Sequence, residues 1–109
     1  MKKELRQAVY DKYNGHCAYC GTKIEYSEMQ VDHQIAKRNG GTDDIENLYP
    51  SCRRCNHYKR SQGLESFRKY MGTLHERIRK DYIVNVGLDY GIVELKPFDG
   101  KFYFERLEE

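Results

Sequence analysis

Two stretches of identical spacing decide the fold: Cys17-Ala18-Tyr19-Cys20 and Cys52-Arg53-Arg54-Cys55. Two residues between a pair of thiolates allow both sulfur atoms to turn toward one ion, and two such pairs complete a tetrahedral zinc site. Four thiolates leave no open coordination position, so this zinc is expected to be structural. A redox pair or four unrelated buried thiols are the alternatives, although a thioredoxin-type motif is expected once and within a βαβ pattern.

The 31 residues between the two cysteine pairs carry polar residues in a distinctive order. They include Val31-Asp32-His33, Asn39-Gly40-Gly41-Thr42 and Glu46-Asn47-Leu48, while Asn56 directly follows the second pair and Lys59 comes three residues later. This order, from about Tyr13 to Arg60, resembles the HNH endonuclease family, the ββα-metal nucleases, in the subgroup with four zinc-binding cysteines. The last signature residue of that family is often His; here Asn56 stands in its place, with His57 one position later.

The resemblance implies an α+β fold, a small zinc-stapled ββα-metal domain. Apolar residues at helical spacing predict an N-terminal helix within Lys2 to Tyr13. Met29 and Val31 alternate into His33, which predicts a short strand. The site helix is predicted from Ser51 to about Arg60.

The remainder of the chain is predicted to extend this core. A stripe at three- and four-residue spacing predicts a following helix, with Gly72 as its weak point; its members are Leu64, Phe67, Met71, Leu74, Ile78 and Tyr82. The β-formers on either side of Pro97-Phe98-Asp99-Gly100 predict a C-terminal β-hairpin. We therefore predict one domain over 1–109, with the HNH and zinc core at 13–60 and a helix-plus-hairpin extension at 61–109.

The predicted chemistry is phosphodiester hydrolysis assisted by one divalent cation, and the resemblance implies 5′-phosphate and 3′-hydroxyl products. His33 is the candidate general base, because an imidazole can be neutral at physiological pH and accept a proton from water. Asn47 is expected to orient the His33 ring through a hydrogen bond. Asp32 and Asn56 offer oxygen atoms suited to Mg²⁺ or Mn²⁺.

The charge distribution favours a polyanionic partner. Residues 1–80 carry a net charge of +6, whereas residues 81–109 carry −4. The candidate nucleic-acid contacts are Lys37, Arg38, Arg53, Arg54, Lys59 and Arg60, which can neutralise phosphates without reading bases. DNA is the expected partner, with RNA left open. The acidic 81–109 segment is not expected to lie along DNA, and 61–109 is the candidate surface for a homodimer or a protein partner.

Several function classes are excluded or kept as rivals. No apolar run approaches the roughly 18 residues of a membrane span, and the N-terminus lacks the apolar stretch of a secretory signal, so a reducing cytoplasmic location is expected. The rival from another class is a zinc-stabilised module that binds nucleic acid or protein without cutting. Asp32, His33 and Asn47 together favour the enzyme, since a binding module needs none of them jointly.

Overall fold

A computed structural model describes residues 1–108, and the backbone forms two compact units. One unit holds residues 1–64 together with residues 102–108; the other is Glu65–Lys101. The helices are α1 (Lys3–Asp11), α2 (Arg53–Lys59), α3 (Leu64–Gly72), α4 (Leu74–Ile78), α5 (Tyr82–Asp89) and α6 (Tyr103–Arg106), and the strands are β1 (Gln30–His33) and β2 (Leu48–Ser51). The α+β class is confirmed. The organisation of 1–109 as one domain stays a prediction.

The N-terminal helix forms because its apolar residues recur on one face. Val9 of α1 is fully buried in a small core with Ile24, Met29 and Leu48. The helix ends at Asp11, and the chain then reverses through Asn14-Gly15, where both residues have positive φ. The predicted helix within Lys2 to Tyr13 is therefore confirmed.

The two strands form an antiparallel pair that positions the signature residues. Asp32 lies opposite Tyr49 and His33 lies opposite Leu48, so His33 stands where β1 ends and Asn47 immediately precedes β2. Strands of four residues are too short to be stable alone, and α1 and α2 both pack against this pair. The predicted strand into His33 is confirmed. The site helix predicted from Ser51 to about Arg60 is confirmed over Arg53–Lys59, whereas Ser51 belongs to β2.

The predicted C-terminal β-hairpin is wrong. Within the described chain, residues 92–101 contain no strand, and 103–106 form α6. The amides of Ile92 and Val93 donate to the carbonyl of Gly87 and close the end of α5. At the C-terminal end of the predicted hairpin, the Glu105 carboxylate accepts a hydrogen bond from the Phe102 amide at 2.9 Å. This bond begins a helical turn instead of a strand.

The apolar stripe of residues 64–82 forms three helices instead of one. α3 ends at Gly72, the position with the lowest helix propensity in the stripe. The Thr73 hydroxyl donates to the Tyr70 carbonyl at 2.7 Å, which satisfies a carbonyl at the end of α3. Asp81 then caps α5 by accepting from the Ile83 amide at 3.1 Å. The region from Tyr82 to Tyr90, ambiguous between helix and strand in the sequence, is mostly helical.

Gly41 provides a test of the loop that follows His33. A Cβ at Gly41 would lie 1.6 Å from the carbonyl oxygen of Ile35, whereas a Cβ at Gly63 would meet nothing within 4 Å. We expect Gly41→Ala to lower the free energy of unfolding by about 1–3 kcal/mol, because the loop backbone must move, and Gly63→Ala to change it by less than about 0.5 kcal/mol. Urea unfolding of both variants measures this; equal stabilities would contradict the close approach.

Candidate nuclease site

The four cysteine sulfur atoms converge on one point. All four lie within 4.8 Å of one another, and the sulfur atoms of Cys20 and Cys52 are 3.8 Å apart. A tetrahedron with Zn–S bonds of about 2.3 Å has edges of about 3.8 Å, so the spacing fits zinc. No disulfide joins the cysteines. The prediction that the two pairs meet is confirmed, and bound zinc follows as a proposal from the donor set.

The local backbone explains how each pair is presented. The Cys17 amide donates to the Thr22 carbonyl at 2.8 Å, and the Gly21 amide donates back to the Cys17 carbonyl at 3.0 Å, which makes a tight knuckle. Cys52 caps α2, and its sulfur accepts from the Cys55 amide at 3.3 Å. Hydrogen bonds from the thiols of Cys17 and Cys55 hold the pKa of Cys20 far below its usual range, so a thiolate ligand is already favoured there.

His33 is held by a carboxylate that the sequence analysis did not select. Its Nε2 lies 2.8 Å from Oδ1 of Asp43, and Lys37 Nζ lies 3.0 Å from the other oxygen of that carboxylate. Hydrogen bonds from His33 and Lys37 lower the pKa of Asp43, which favours its anionic form. The His33 side chain is 22% exposed, so solvent reaches the ring. Asp43 follows Gly41-Thr42 with no spacing signature, and only the fold reveals its contact.

Asn47 fixes the loop and makes no described hydrogen bond to the ring. Its amide nitrogen donates to the carbonyls of Thr42 and Ile35 at 2.8 and 3.1 Å, and its amide oxygen accepts from the Ile35 amide at 2.8 Å. The predicted hydrogen bond from the His33 ring to the Asn47 amide oxygen is therefore replaced by three bonds between Asn47 and the loop backbone. Through them, Asn47 holds the segment that begins directly beyond His33 and leads to Asp43.

Asp32 is bound in a buried network with Lys59 and Tyr19. Lys59 is fully buried and Asp32 is only 5% exposed, and Lys59 Nζ lies 3.0 Å from Oδ2 of Asp32. The Tyr19 hydroxyl donates to the same oxygen; burial, followed by the Asp32 charge, raises the pKa of Tyr19 far above its usual range. The ammonium also donates to the Gln62 carbonyl. Lys59 and Tyr19 thus both bind the same oxygen of the Asp32 carboxylate, Oδ2.

The prediction that Lys59 contacts nucleic acid is wrong for this structure. A fully buried ammonium that is already paired with Asp32 cannot reach a phosphate in solvent. Lys59 instead ties α2 to β1 through its ion pair with Asp32. Asn56 lies three residues before Lys59 and so faces the same side of the helix. Asn56 is itself half-buried.

The other predicted nucleic-acid residues are exposed. They are Lys37, Arg38, Arg53, Arg54 and Arg60. Two of them form surface ion pairs, Lys37 with Asp43 at 3.0 Å and Arg53 with Glu28 at 3.5 Å, and Arg38 donates to the Ser61 hydroxyl. Such exposed pairs contribute little stability, so these cations remain available for exchange with phosphate.

Comparison with known proteins places this geometry in a family. The sequence model described as HNH endonuclease matches residues 17–62, which is the segment from the first zinc knuckle to the end of the Lys59 network. This part of the chain, residues 17–62, is similar to the HNH endonuclease family and is called the HNH segment here. The predicted resemblance is confirmed for this HNH segment.

Individual relatives match the HNH segment and its surroundings. The CRISPR-associated endonuclease Cas9 of Corynebacterium diphtheriae is 41% identical over 55 residues, 50% of this chain and 5% of that protein. YoqL, a prophage-derived protein of Bacillus subtilis named as an HNH endonuclease, is 31% identical over 75 residues, 56% of this chain and 30% of that protein. The crystal structure of the Type II-C Cas9 enzyme from Actinomyces naeslundii is similar with a TM-score of 0.56 and 29% identity, over 62% of this chain and 7% of that one. The chain thus spans less than a third of each of these relatives.

Among the described residues, no helix combines the length and the hydrophobicity that crossing a membrane requires.

The zinc site can be tested at the exposed ligand of the HNH segment. Cys20→Ser removes a sulfur at the surface and opens no core cavity, so a large loss of stability points to the metal. We expect elemental analysis to find one zinc per wild-type chain and far less in the variant, and the variant to lose cooperative unfolding. Ser27→Ala, an exposed change in the 3₁₀ turn Tyr26–Glu28, is the control and should retain zinc. A Cys20→Ser protein with full zinc and unchanged melting would contradict the site.

Lys59 offers a test of the buried network. We expect Lys59→Met to lower the free energy of unfolding by about 3–5 kcal/mol, because it leaves the Asp32 carboxylate buried without a cation. Adding Asp32→Asn should recover part of that loss, since it removes the uncompensated charge. Lys69→Met, at an exposed position of α3, is the matched control. Urea unfolding of the four proteins would refute the network if Lys59→Met and Lys69→Met were equally stable.

Proposed function

We propose that this chain is a divalent-metal-dependent endonuclease that hydrolyses phosphodiester bonds, with DNA as its substrate. The observation that carries the proposal is the position of His33 at the end of β1, partly exposed, with Nε2 bound by Asp43. A partly exposed imidazole that is held by the Asp43 carboxylate, one residue after the buried Asp32 at the end of a strand, is more than the zinc fold needs for its own stability. The match of residues 17–62 to the HNH endonuclease family supports the same activity.

His33 is proposed to act as the general base. With Nε2 occupied by Asp43, Nδ1 is the remaining ring nitrogen that can accept a proton from water. The Asp43 anion favours the tautomer with hydrogen on Nε2 and stabilises the imidazolium that forms when Nδ1 takes the proton. Asn47 contributes by holding the loop that carries Asp43, in place of the direct hydrogen bond expected from the sequence.

Asp32 and Asn56 are proposed to hold the catalytic cation. Both supply oxygen donors, which Mg²⁺ and Mn²⁺ prefer. Because Lys59 and Tyr19 both bind Oδ2 of Asp32, Oδ1 is the oxygen proposed as the ligand. When bound, the cation supplies stabilisation of charge on the phosphate and the leaving oxygen. Arg53, Arg54 and Arg60 are proposed to contact the backbone phosphates.

A binding module that does not cut is the second candidate, and a specific observation favours it. Asp32 is nearly inaccessible, and its charge is already compensated by Lys59. In that state, the carboxylate is satisfied without a metal ion. The exposed basic residues would still bind a polyanion through its phosphates.

Cleavage of supercoiled plasmid decides between the two candidates. We expect zinc-loaded wild-type protein to nick or linearise plasmid in Mg²⁺ or Mn²⁺ and to be inactive when that cation is omitted with zinc retained. His33→Ala should reduce the rate by about 10²- to 10⁴-fold, the usual contribution of a general base. An RNA of the same sequence tests the choice of nucleic acid.

The matched control for His33→Ala is His57→Ala. His57 is an exposed histidine on α2 with no assigned role, and its variant should cut at the wild-type rate. Folded, zinc-loaded wild type that binds plasmid but never cuts it would overturn the nuclease proposal in favour of the binding module. Equal activity of wild type and His33→Ala would reject His33 as the base.

A further inference from the structure

Tyr19 connects the cysteine cluster to the carboxylate that is proposed to hold the catalytic cation. It is one of the two residues that separate Cys17 from Cys20, and its hydroxyl donates to Oδ2 of Asp32. The sequence analysis gave Tyr19 no role, because cysteine spacing says nothing about the residues in between. The contact with Asp32 is visible only in the fold.

The position of Tyr19 is fixed by its backbone and by its ring. The amide of the preceding residue, Ala18, donates to the Pro50 carbonyl at 2.9 Å, and the Tyr19 carbonyl accepts from the Tyr103 amide at 3.0 Å. Tyr19 is buried, and its ring meets the edge of the Phe102 ring with the two centres 5.4 Å apart. A side chain packed in this way has little freedom to change rotamer, so the hydroxyl is held in one place.

The Tyr19 hydroxyl restricts how the Asp32 carboxylate can turn. Lys59 Nζ lies 3.0 Å from Oδ2, the same oxygen that Tyr19 binds. The terminal torsion of an aspartate is broad, and an ammonium has three donors, so Lys59 alone would let the carboxylate turn and share both of its oxygens with the ammonium. The hydroxyl opposes this turn, because the turn would break a hydrogen bond inside the fold, where a lost bond is costly.

We propose that Tyr19 is a positioning residue of the cation site, and that its hydroxyl holds the Asp32 carboxylate so that Oδ1 stays available to a divalent cation. This inference rests on the proposed function, in which Asp32 and Asn56 are the cation ligands. Tyr19 does not touch the cation and acts through Asp32. Because Tyr19 lies inside the cysteine knuckle, the same knuckle that would bind zinc also sets the orientation of a ligand for the second metal.

Removal of the hydroxyl has two opposing effects on cation affinity. One hydrogen-bond donor fewer leaves more negative charge on the Asp32 carboxylate, which favours a cation. A carboxylate that can turn also shares both oxygens with Lys59, which then competes with the cation. Loss of a hydrogen-bond partner of a metal ligand typically weakens metal binding by about 10- to 100-fold, so we expect the loss of orientation to outweigh the gain in charge.

Tyr19→Phe tests this role, because it removes the hydroxyl and retains the packed ring. We expect the dissociation constant of the zinc-loaded full chain for Mn²⁺, measured by electron paramagnetic resonance of the free ion, to rise about 10- to 100-fold. The Mn²⁺ concentration for half-maximal plasmid cleavage should rise by the same factor, while the rate at saturating Mn²⁺ returns close to the wild-type value. A merely structural role would instead lower the saturating rate and leave the Mn²⁺ requirement unchanged.

Tyr49→Phe is the matched control. Tyr49 is also buried, and its ring lies 6.1 Å from that of Tyr19, but within the described chain the Asp32 carboxylate is bound by Tyr19 and Lys59 alone. The control removes a hydroxyl from the same ring cluster and should bind Mn²⁺ as tightly as wild type. Asn56→Ala should weaken the same binding event, which identifies it as the cation site. Circular dichroism and zinc content establish that each variant is folded.

The hydroxyl proton of wild-type Tyr19 gives a second measurement, which remains decisive if Tyr19→Phe fails to fold. We expect NMR of tyrosine-labelled protein to detect this proton, because the group is buried and hydrogen-bonded. Mg²⁺ bound at Oδ1 draws charge from the carboxylate and weakens the hydrogen bond at Oδ2. The proton resonance should therefore move upfield and reach a plateau as the cation site fills.

Three results would overturn the role of Tyr19 and leave the nuclease proposal standing. These are a folded Tyr19→Phe protein that binds Mn²⁺ as tightly as wild type, a Tyr49→Phe protein that loses as much affinity as Tyr19→Phe, and a Tyr19 hydroxyl proton that does not move at Mg²⁺ concentrations that support cleavage. A wild type that neither binds Mn²⁺ nor cuts plasmid overturns the nuclease proposal, and the role of Tyr19 falls with it.

Discussion

The convergence of four cysteine sulfur atoms is the constraint on which the HNH segment depends. It joins the knuckle at Cys17–Cys20 to the start of α2 and so closes the whole insert between them. The β1–β2 pair has four residues in each strand and could not persist alone. Between the cysteines, the Ala18 amide donates to the Pro50 carbonyl, so the knuckle, β2 and α2 are fixed to one another around the same point.

The buried Asp32–Lys59 pair is the second constraint, and it acts on the chemistry of the site. Removing two charges from water carries a large penalty, which only direct pairing and further hydrogen bonds can offset. Here Tyr19 and the Gln62 carbonyl provide those bonds. The result is a carboxylate with a fixed orientation, in which one oxygen is committed to protein donors. Whatever Asp32 binds, it must bind through the other oxygen.

Aromatic packing explains why the end of the chain returns to the zinc knuckle. The rings of Tyr49 and Phe104 lie 4.9 Å apart and those of Tyr19 and Phe102 lie 5.4 Å apart, while the amides of Tyr103 and Phe104 donate to the carbonyls of Tyr19 and Ala18. These contacts bury Phe102 and Phe104. The hydrogen bonds to the knuckle and the aromatic contacts together hold this end of the chain as a helical turn.

The sequence by itself predicted the cluster of four cysteines, α1, β1 and the site helix, because the spacing of cysteines and apolar residues is local information. Its resemblance to the HNH endonuclease family predicted the α+β class. It also selected Asp32, His33 and Asn56. Only the tertiary structure decided the contacts of those residues: Asp43 against His33, Asn47 on the loop backbone, and Lys59 inside the fold instead of on its surface. The tertiary structure also has α6 where a C-terminal β-hairpin was predicted, and it has three helices where one helix was predicted over the apolar stripe of residues 64–82. The physical reason is the same in each case. A side chain's partner depends on which groups are buried and which hydrogen bonds are available once distant segments have come together. β-propensity and charge counts describe only local sequence and carry no information about those contacts.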